Sequence, residues 1–415
     1  MKLVTSLNKN IFYLAILQGS YFILPLLTFP YLVRVLGPYS FGLLGFCQAT
    51  MQYLVMVTDY GFNWSATQDV SKSKNDKEKL TTIFWNVFFS KIILALSAIV
   101  IFFGMTFFIK ELYYAQVVLI SFIPMVLGNI LYPVWFFQGL EKMKWITLCS
   151  LSARLLLIPL TFLLVKNPQD IWLAALIQGG VNFIAGLIGF AIIINNNWIG
   201  KLVFDYEGII YSLKSGWHIF ISTAAISLYT TTTVVVLGFI CGPVAVGYFN
   251  AANTIRNAAQ SLMNPIYQAV YPRINSLFEE NYAKSMNLLK KSFKGVLFIS
   301  FSGSLLLCIL SPIIIRYGVG DKYTESISIL RILAFLPFII SLSNFFGIQT
   351  MLTHGYKRQF SKILLICGVM HVIIIAPLIL FAGAYGAAMT VLITETVVAS
   401  LMYLFLKRKK INLFK

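Results

Sequence analysis

The sequence predicts an all-α, polytopic membrane protein of about twelve transmembrane helices. Three observations predict it. Apolar runs long enough to cross a bilayer recur along the whole chain. Charge is scarce, with 11% Asp, Glu, Lys and Arg against 59% hydrophobic residues, where a soluble domain carries roughly 25% charged ones. The cations that are present fall between the apolar runs. A mean hydropathy of +0.82 leaves too little polar surface to cover a water-soluble body of 415 residues.

A membrane-spanning helix needs about 20 mostly apolar residues. Such runs lie near 11–33, 40–60, 82–109, 113–138, 145–165 and 170–194. A polar stretch, Asn195 to Ser215, follows. Six more lie near 217–240, 243–272, 292–315, 325–350, 359–381 and 384–406. This divides the chain into an N-terminal six-helix lobe (1–194), a cytoplasmic connecting segment (195–216), a C-terminal six-helix lobe (217–406) and a basic cytoplasmic tail (407–415). Lys2 and Lys9 precede an apolar stretch too long for the core of a cleaved signal peptide, so no such peptide is expected.

The distribution of lysine and arginine tests this assignment independently, because cytoplasmic loops carry the excess of positive charge. With the N-terminus in the cytoplasm, 23 of the 32 basic residues fall in cytoplasmic segments and 5 (Arg34, Lys110, Lys166, Arg316, Lys322) on the opposite side. Lys91, Arg154, Arg256 and Arg331 remain inside helices. Both termini are therefore expected in the cytoplasm. The net charge of +18 reads as topology-setting charge. Nucleic-acid binding would need the basic residues clustered on one face, and no such partner is expected.

The chain also repeats. Gly37-Pro38-Tyr39-Ser40-Phe41-Gly42 joins the first and second helices, and Gly242-Pro243-Val244-Ala245-Val246-Gly247 joins the seventh and eighth, at an offset of 205 residues. At the same offset Gln48 and Gln52 fall opposite Asn253 and Asn257, and Lys79 opposite Lys284. Two halves of six helices share one orientation, a parallel repeat of the kind whose interface commonly holds a transporter's substrate.

Catalytic and cofactor chemistry is not indicated. There is no phosphate-binding G-x-x-x-x-G-K-[ST] loop, no G-x-S-x-G elbow and no H-E-x-x-H pair, and the extracytoplasmic loops are short. No nucleotide, metal or other cofactor is expected. The five cysteines (Cys47, Cys149, Cys241, Cys308, Cys367) sit in apolar segments without C-x-x-C spacing. His218, His354 and His371 lie too far apart to suggest a ligand set.

The eighth helix carries the most informative pattern. Asn250, Asn253, Asn257, Gln260, Asn264 and Gln268 recur every three or four residues and so form one stripe, with Arg256 beside it. Lipid cannot satisfy amides, so this face must meet protein or water. Interhelical hydrogen bonding and a solvated lumen both fit. A stripe this long favours the lumen, which Gln48, Gln52, Gln178, Asn182 and the run Thr230-Thr231-Thr232-Thr233 would extend. Amide and hydroxyl walls suit sugar hydroxyls.

Charges within the membrane mark function by default. Arg256 lies 17 residues from Arg273, roughly 25 Å of helix, beyond the reach of a snorkelling side chain. Lys91 and Arg154 sit about three turns in, where both cavity and snorkel readings stand; Arg331 and Arg34 lie nearer the outer interface. Glu395 is the one carboxylate at mid-membrane. It suits either pairing with an arginine of its own half or carrying a coupling proton. Asp59, at the cytoplasmic end of the second helix, is a second coupling candidate with a structural reading beside it. Net positive charge in the lumen favours an anionic passenger such as a phosphate or diphosphate. Pro25, Pro30, Pro124, Pro133, Pro159, Pro265, Pro337 and Pro377 are expected to kink their helices.

Several stretches resemble bacterial O-antigen flippases, the Wzx family: Leu24–Pro38, Asp59–Asn63, Phe136–Trp145, Phe249–Asn257 and Ser343–Gln349. The resemblance runs from about residue 8 to 406. It implies membership of the multidrug/oligosaccharidyl-lipid/polysaccharide exporter superfamily, with two six-helix lobes around a central cavity. It also implies transport of undecaprenyl-diphosphate-linked oligosaccharide from the inner to the outer leaflet of the bacterial inner membrane. Implied partners are the lipid-linked oligosaccharide, membrane lipids, an O-antigen polymerase and a chain-length regulator. The family has no short universal signature. Arg256 is the first position to which a substrate-binding role transfers, followed by Arg154 and Lys91. Flipping of another lipid-linked glycan, or ion-coupled multidrug export within the same superfamily, stays open.

Overall fold

The computed structural model describes the backbone of residues 2–411 and 413, and the side chains of 24–411 and 413 apart from 222, 225, 226, 228 and 229. Lys415 and the side chains of Lys2 and Lys9, which the sequence assigns to the cytoplasmic face, lie outside the described residues. Among the described residues the regular elements are helices, and the chain divides into two compact units, residues 1–224 and 225–415.

Among the described residues nine helical stretches are long and apolar enough to span a membrane. Three of them, Leu24–Lys72, Thr232–Glu280 and Lys357–Arg408, run to 49, 49 and 52 residues. At 1.5 Å per residue a straight helix of that length would exceed 70 Å, more than twice a hydrocarbon core. Each contains one glycine outside helical geometry: Gly37 (φ 69°, ψ 174°), Gly242 (φ 77°, ψ −178°) and Gly383 (φ 56°, ψ −131°). Residues with a Cβ seldom enter this region, so the glycine sets where the helix breaks. In Lys2–Asp59 and Lys357–Arg408 the break leaves two membrane-length arms. The arm before Gly242 begins only at Thr232 and is preceded, across a break at Thr231, by the helix Tyr206–Thr230, consistent with twelve helices.

The first unit begins with α1 (Lys2–Asp59), α2 (Phe62–Lys72) and α3 (Lys77–Thr106). The span expected at 113–138 is instead four short helices: α4 (Lys110–Tyr114), α5 (Gln116–Ser121), α6 (Ile123–Leu131) and α7 (Val134–Gly139). Pro124 and Pro133 explain part of this. Tyr132 is extended (ψ 100°) ahead of Pro133, the conformation a following proline imposes. Then come α8 (Met143–Leu164), α9 (Ile171–Asn195) and α10 (Tyr206–Thr230), the last six residues of which belong to the second unit. Glycines let α6 and α9 approach closely. A Cβ on Gly128 would stand 2.4 Å from the Phe183 nitrogen, and one on Gly186 2.7 Å from the Leu131 Cβ, the small-residue packing typical of membrane helices. Phe84, Trp135 and Phe136 form an aromatic centre with Phe190. The connecting segment packs on this unit. Gly200 N–H donates to Thr81 Oγ1 at 2.7 Å, Asn86 to Asp205 at 3.3 Å, and Lys142 lies 3.3 Å over the Trp198 ring.

The second unit comprises α11 (Thr232–Ser261), α12 (Asn264–Glu280), α13 (Tyr282–Ile313), α14 (Glu325–Leu333), α15 (Leu336–Asn344) and α16 (Lys357–Arg408). A π-helical turn, Phe345–Leu352, joins the last two. Its core gathers Tyr267, Phe293, Phe345, Phe346, Cys367 and Met402. Two expected helices are broken. The seventh is interrupted at Thr231, inside four successive β-branched threonines with poor helical preference. The eighth ends at Ser261 and resumes at Asn264, because Pro265 has no N–H for the Ser261 carbonyl. Among the expected proline kinks, Pro25, Pro30, Pro159 and Pro377 lie within continuous helices.

The 205-residue repeat extends to helix starts. Asp76 accepts the Lys79 N–H at 3.0 Å and caps α3; Asn281 accepts the Lys284 N–H at 3.0 Å and caps α13. Gly37 and Gly242 share one backbone conformation at that same offset.

Candidate functional site

Arg256 sits in the last two turns of α11, inside the apolar stretch Thr232–Glu280, where it must be satisfied by protein or water rather than lipid. Its Nη2 donates to Asn253 Oδ1, one turn earlier, and Nε has no hydrogen-bond partner. The guanidinium borders a cavity of about 340 Å³ within the second unit. Thr230, at the end of α10, and Thr233, Val234, Phe249, Asn253 and Asn257, on α11, form one side. Ile340 from α15 and His371, Val391, Thr394 and Glu395 from α16 form the other.

Glu395 faces Arg256, and the two charges attract across this space. They do not form a contact pair: among the described residues the ion pairs within 4.0 Å are Lys74–Glu141, Lys79–Asp76 and Lys91–Asp59. His371 is 1% exposed and ties three chain segments together. Thr394 Oγ1 donates to the Thr390 carbonyl at 2.8 Å, so it accepts from His371 Nδ1 at 2.9 Å; Nε2 then accepts from Thr233 Oγ1 at 3.1 Å. This assigns the Nδ1–H tautomer from the hydrogen-bond network.

The expected site residues divide. Arg256, Asn253, Asn257 and Glu395 come together at the cavity. Asn250, Gln260, Asn264 and Gln268 do not line it, and the kink at Leu262–Met263 splits the expected stripe in two. Arg331 is exposed in the last turn of α14, off the cavity. In the first unit Gln48 and Gln52 lie exposed on the second arm of α1, Arg34 is exposed before Gly37, and Arg154 is half-buried on α8. Lys91 and Asp59 meet each other. The Lys91 ammonium is 3.6 Å from Asp59 Oδ1 and donates to both the carbonyl and Oδ1 of Asn129 at 3.0 Å; Asn63 donates to Asp59 at 2.7 Å. Lys91 is 2% exposed. Thr230 and Thr233 of the expected threonine run also line the cavity; His371 and Thr394 are the members that spacing did not reveal, because the contacts of His371 lie 138 and 23 residues away.

Comparison with known proteins agrees with this architecture. Residues 7–278 match the model of the polysaccharide biosynthesis protein family. A relative from Escherichia coli strain K12, assigned by name as an O-antigen transporter, is 49% identical over 98% of both chains. A second of that name, from Shigella dysenteriae, is 32% identical over 95% of this chain and 99% of its own. Among solved structures, the lipid II flippase MurJ in an inward closed conformation superposes with a TM-score of 0.75 at 18% identity, over 96% of this chain and 87% of that one. An inward-facing multidrug resistance MATE family transporter of the MOP superfamily gives 0.71 at 15%, over 97% and 98%. These two share the fold of this chain. By sequence the chain is a multi-pass membrane member of the polysaccharide biosynthesis protein family.

Proposed function

We propose that this protein is a flippase. It carries undecaprenyl-diphosphate-linked O-antigen repeat units from the cytoplasmic to the periplasmic leaflet of the bacterial inner membrane, for lipopolysaccharide assembly. The observation that carries the reading is the polar cavity around Arg256 in a chain this apolar, taken with near full-length relatives named as O-antigen transporters. Flipping a lipid-linked glycan breaks no bond, so it needs no catalytic group. It needs a polar path for the head group while the polyprenyl tail stays in lipid. The amides of α11 supply such a surface. Both termini face the cytoplasm, as the 23-to-5 distribution of basic residues supports. An O-antigen polymerase and a chain-length regulator act on the product at the far face.

The test is complementation of a host whose own O-antigen transporter gene is deleted. The wild-type gene restores the lipopolysaccharide ladder if the reading is right, and no ladder at normal protein level refutes it. Arg256→Ala is expected to abolish the ladder without loss of membrane-inserted protein. A normal ladder in that strain would remove the role given to Arg256.

A further inference from the structure

We infer that the cavity of the second unit is a subsite for one uncharged pyranose of the head group, not for its diphosphate. This deepens the reading above and rests on it. The wall formed by Thr233, His371 and Thr394 is already satisfied internally, each polar atom having its partner. The amides of Asn253 and Asn257 also line the space, and two charged groups face it: the Glu395 carboxylate, which makes no hydrogen bond among the described residues, and the Arg256 guanidinium, which makes one. One is a pure acceptor and the other a pure donor.

Their formal charges cancel, so the cavity does not draw anions as a purely cationic one would. A diphosphate beside Arg256 would be pushed back by Glu395 across the same cavity. A sugar fits both groups, because each ring hydroxyl donates to one and accepts from the other. The remaining wall suits the apolar face of a ring: Phe249, Val234, Ile340 and Val391 supply it. A volume near 340 Å³ lies at the small end of ligand pockets, about 300–1,000 Å³, and suits a single sugar ring. Thr230 and Asn257 are exposed at its rim, which leaves an entry.

The test is saturation-transfer NMR on the full chain in nanodiscs, with a panel of methyl pyranosides and N-acetylhexosamines as probes and inorganic pyrophosphate as competitor. At least one glycoside is expected to bind. Arg256→Gln and Glu395→Gln should each weaken it at least about tenfold, the loss of one charge-assisted hydrogen bond. Val391→Phe, which fills the cavity without touching a charge, should do the same and guards against misfolding in the charge variants. Pyrophosphate should not displace the glycoside. Absence of binding across the panel, retention of binding in Glu395→Gln and Val391→Phe, or displacement by pyrophosphate each overturns the inference. A chain that binds glycosides in this way yet restores no O-antigen ladder keeps the subsite and loses the flippase reading.

Discussion

Replacing Asp59 with alanine strands the Lys91 ammonium in the interior of the first unit. Removing one partner of a buried ion pair costs about 3–5 kcal/mol, since the other charge is left uncompensated. Three features place this pair at the lower end. Its separation is 3.6 Å, and Asn129 still offers Lys91 two oxygens at 3.0 Å; Asp59 is also partly exposed. We expect a loss of about 3 kcal/mol for Asp59→Ala. Lys91→Met removes the charge together with its desolvation and leaves Asp59 accepting from Asn63, so about 1 kcal/mol is expected there. The double variant should resemble Lys91→Met, giving a coupling of about 3 kcal/mol between the two sites. Thermal unfolding in detergent, followed by a thiol-reactive dye, reads this directly, because Cys47 and Cys149 are fully buried in the same unit. If Asp59→Ala melts within a degree of wild type, or the double variant is as unstable as Asp59→Ala alone, the pair is not the buried electrostatic contact described. A Lys91→Met protein of near-normal stability that has lost the O-antigen ladder would instead make Lys91 a transport residue.

Three further outcomes are expected. Gly37→Ala and Gly242→Ala should each lose about 1–3 kcal/mol through backbone strain alone, since nothing lies within 4 Å of an added Cβ; Gly303→Ala, equally open but helical, should be neutral or slightly stabilising in the same melt. Thr394→Val takes away the acceptor of the buried His371 Nδ1–H and should cost about 1–3 kcal/mol, read by earlier exposure of Cys367. Asp76 has its carboxyl pKa lowered by the hydrogen bonds from Lys79. Its contribution to the start of α3 is therefore present above the ordinary carboxylate pKa and lost as pH falls through that range. Amide exchange at residues 77–80, corrected for intrinsic rate, should accelerate on acidification in wild type and be already fast in Asp76→Ala. Corrected exchange that does not change with pH in wild type would refute the cap.

The helices were legible because a bilayer writes its thickness into the sequence as apolar run length. The repeat was legible from Gly37-Pro38 and Gly242-Pro243, and the shared positive φ shows why both positions are glycine. Gly383 makes the same kind of break without a following proline, so no dipeptide marked it. The site was legible only where one helix carries it. Asn253, Arg256 and Asn257 share a face of α11, and periodicity finds them. Periodicity overextended the stripe, since it does not register that Pro265 ends the hydrogen-bond ladder at Ser261. The pairing of Lys91 with Asp59, and of His371 with Thr233, depends on which helices pack together, and no local pattern encodes that. Glu395 stood out as a lone carboxylate, but only the fold sets it opposite Arg256.

The glycine breaks also bear on how the chain enters the membrane. At Gly37, Gly242 and Gly383 two spans are joined with almost no intervening loop, so neither arm can be released to the far side before the other has been synthesised. Each pair must partition from the insertion machinery as one hairpin of about 50 residues, and the second arm is committed as soon as the first is threaded. Reporter fusions or epitope tags placed at these three joints should therefore disturb biogenesis itself. The same tags between Asn195 and Tyr206, where the chain leaves the membrane on a polar segment, should be far better tolerated.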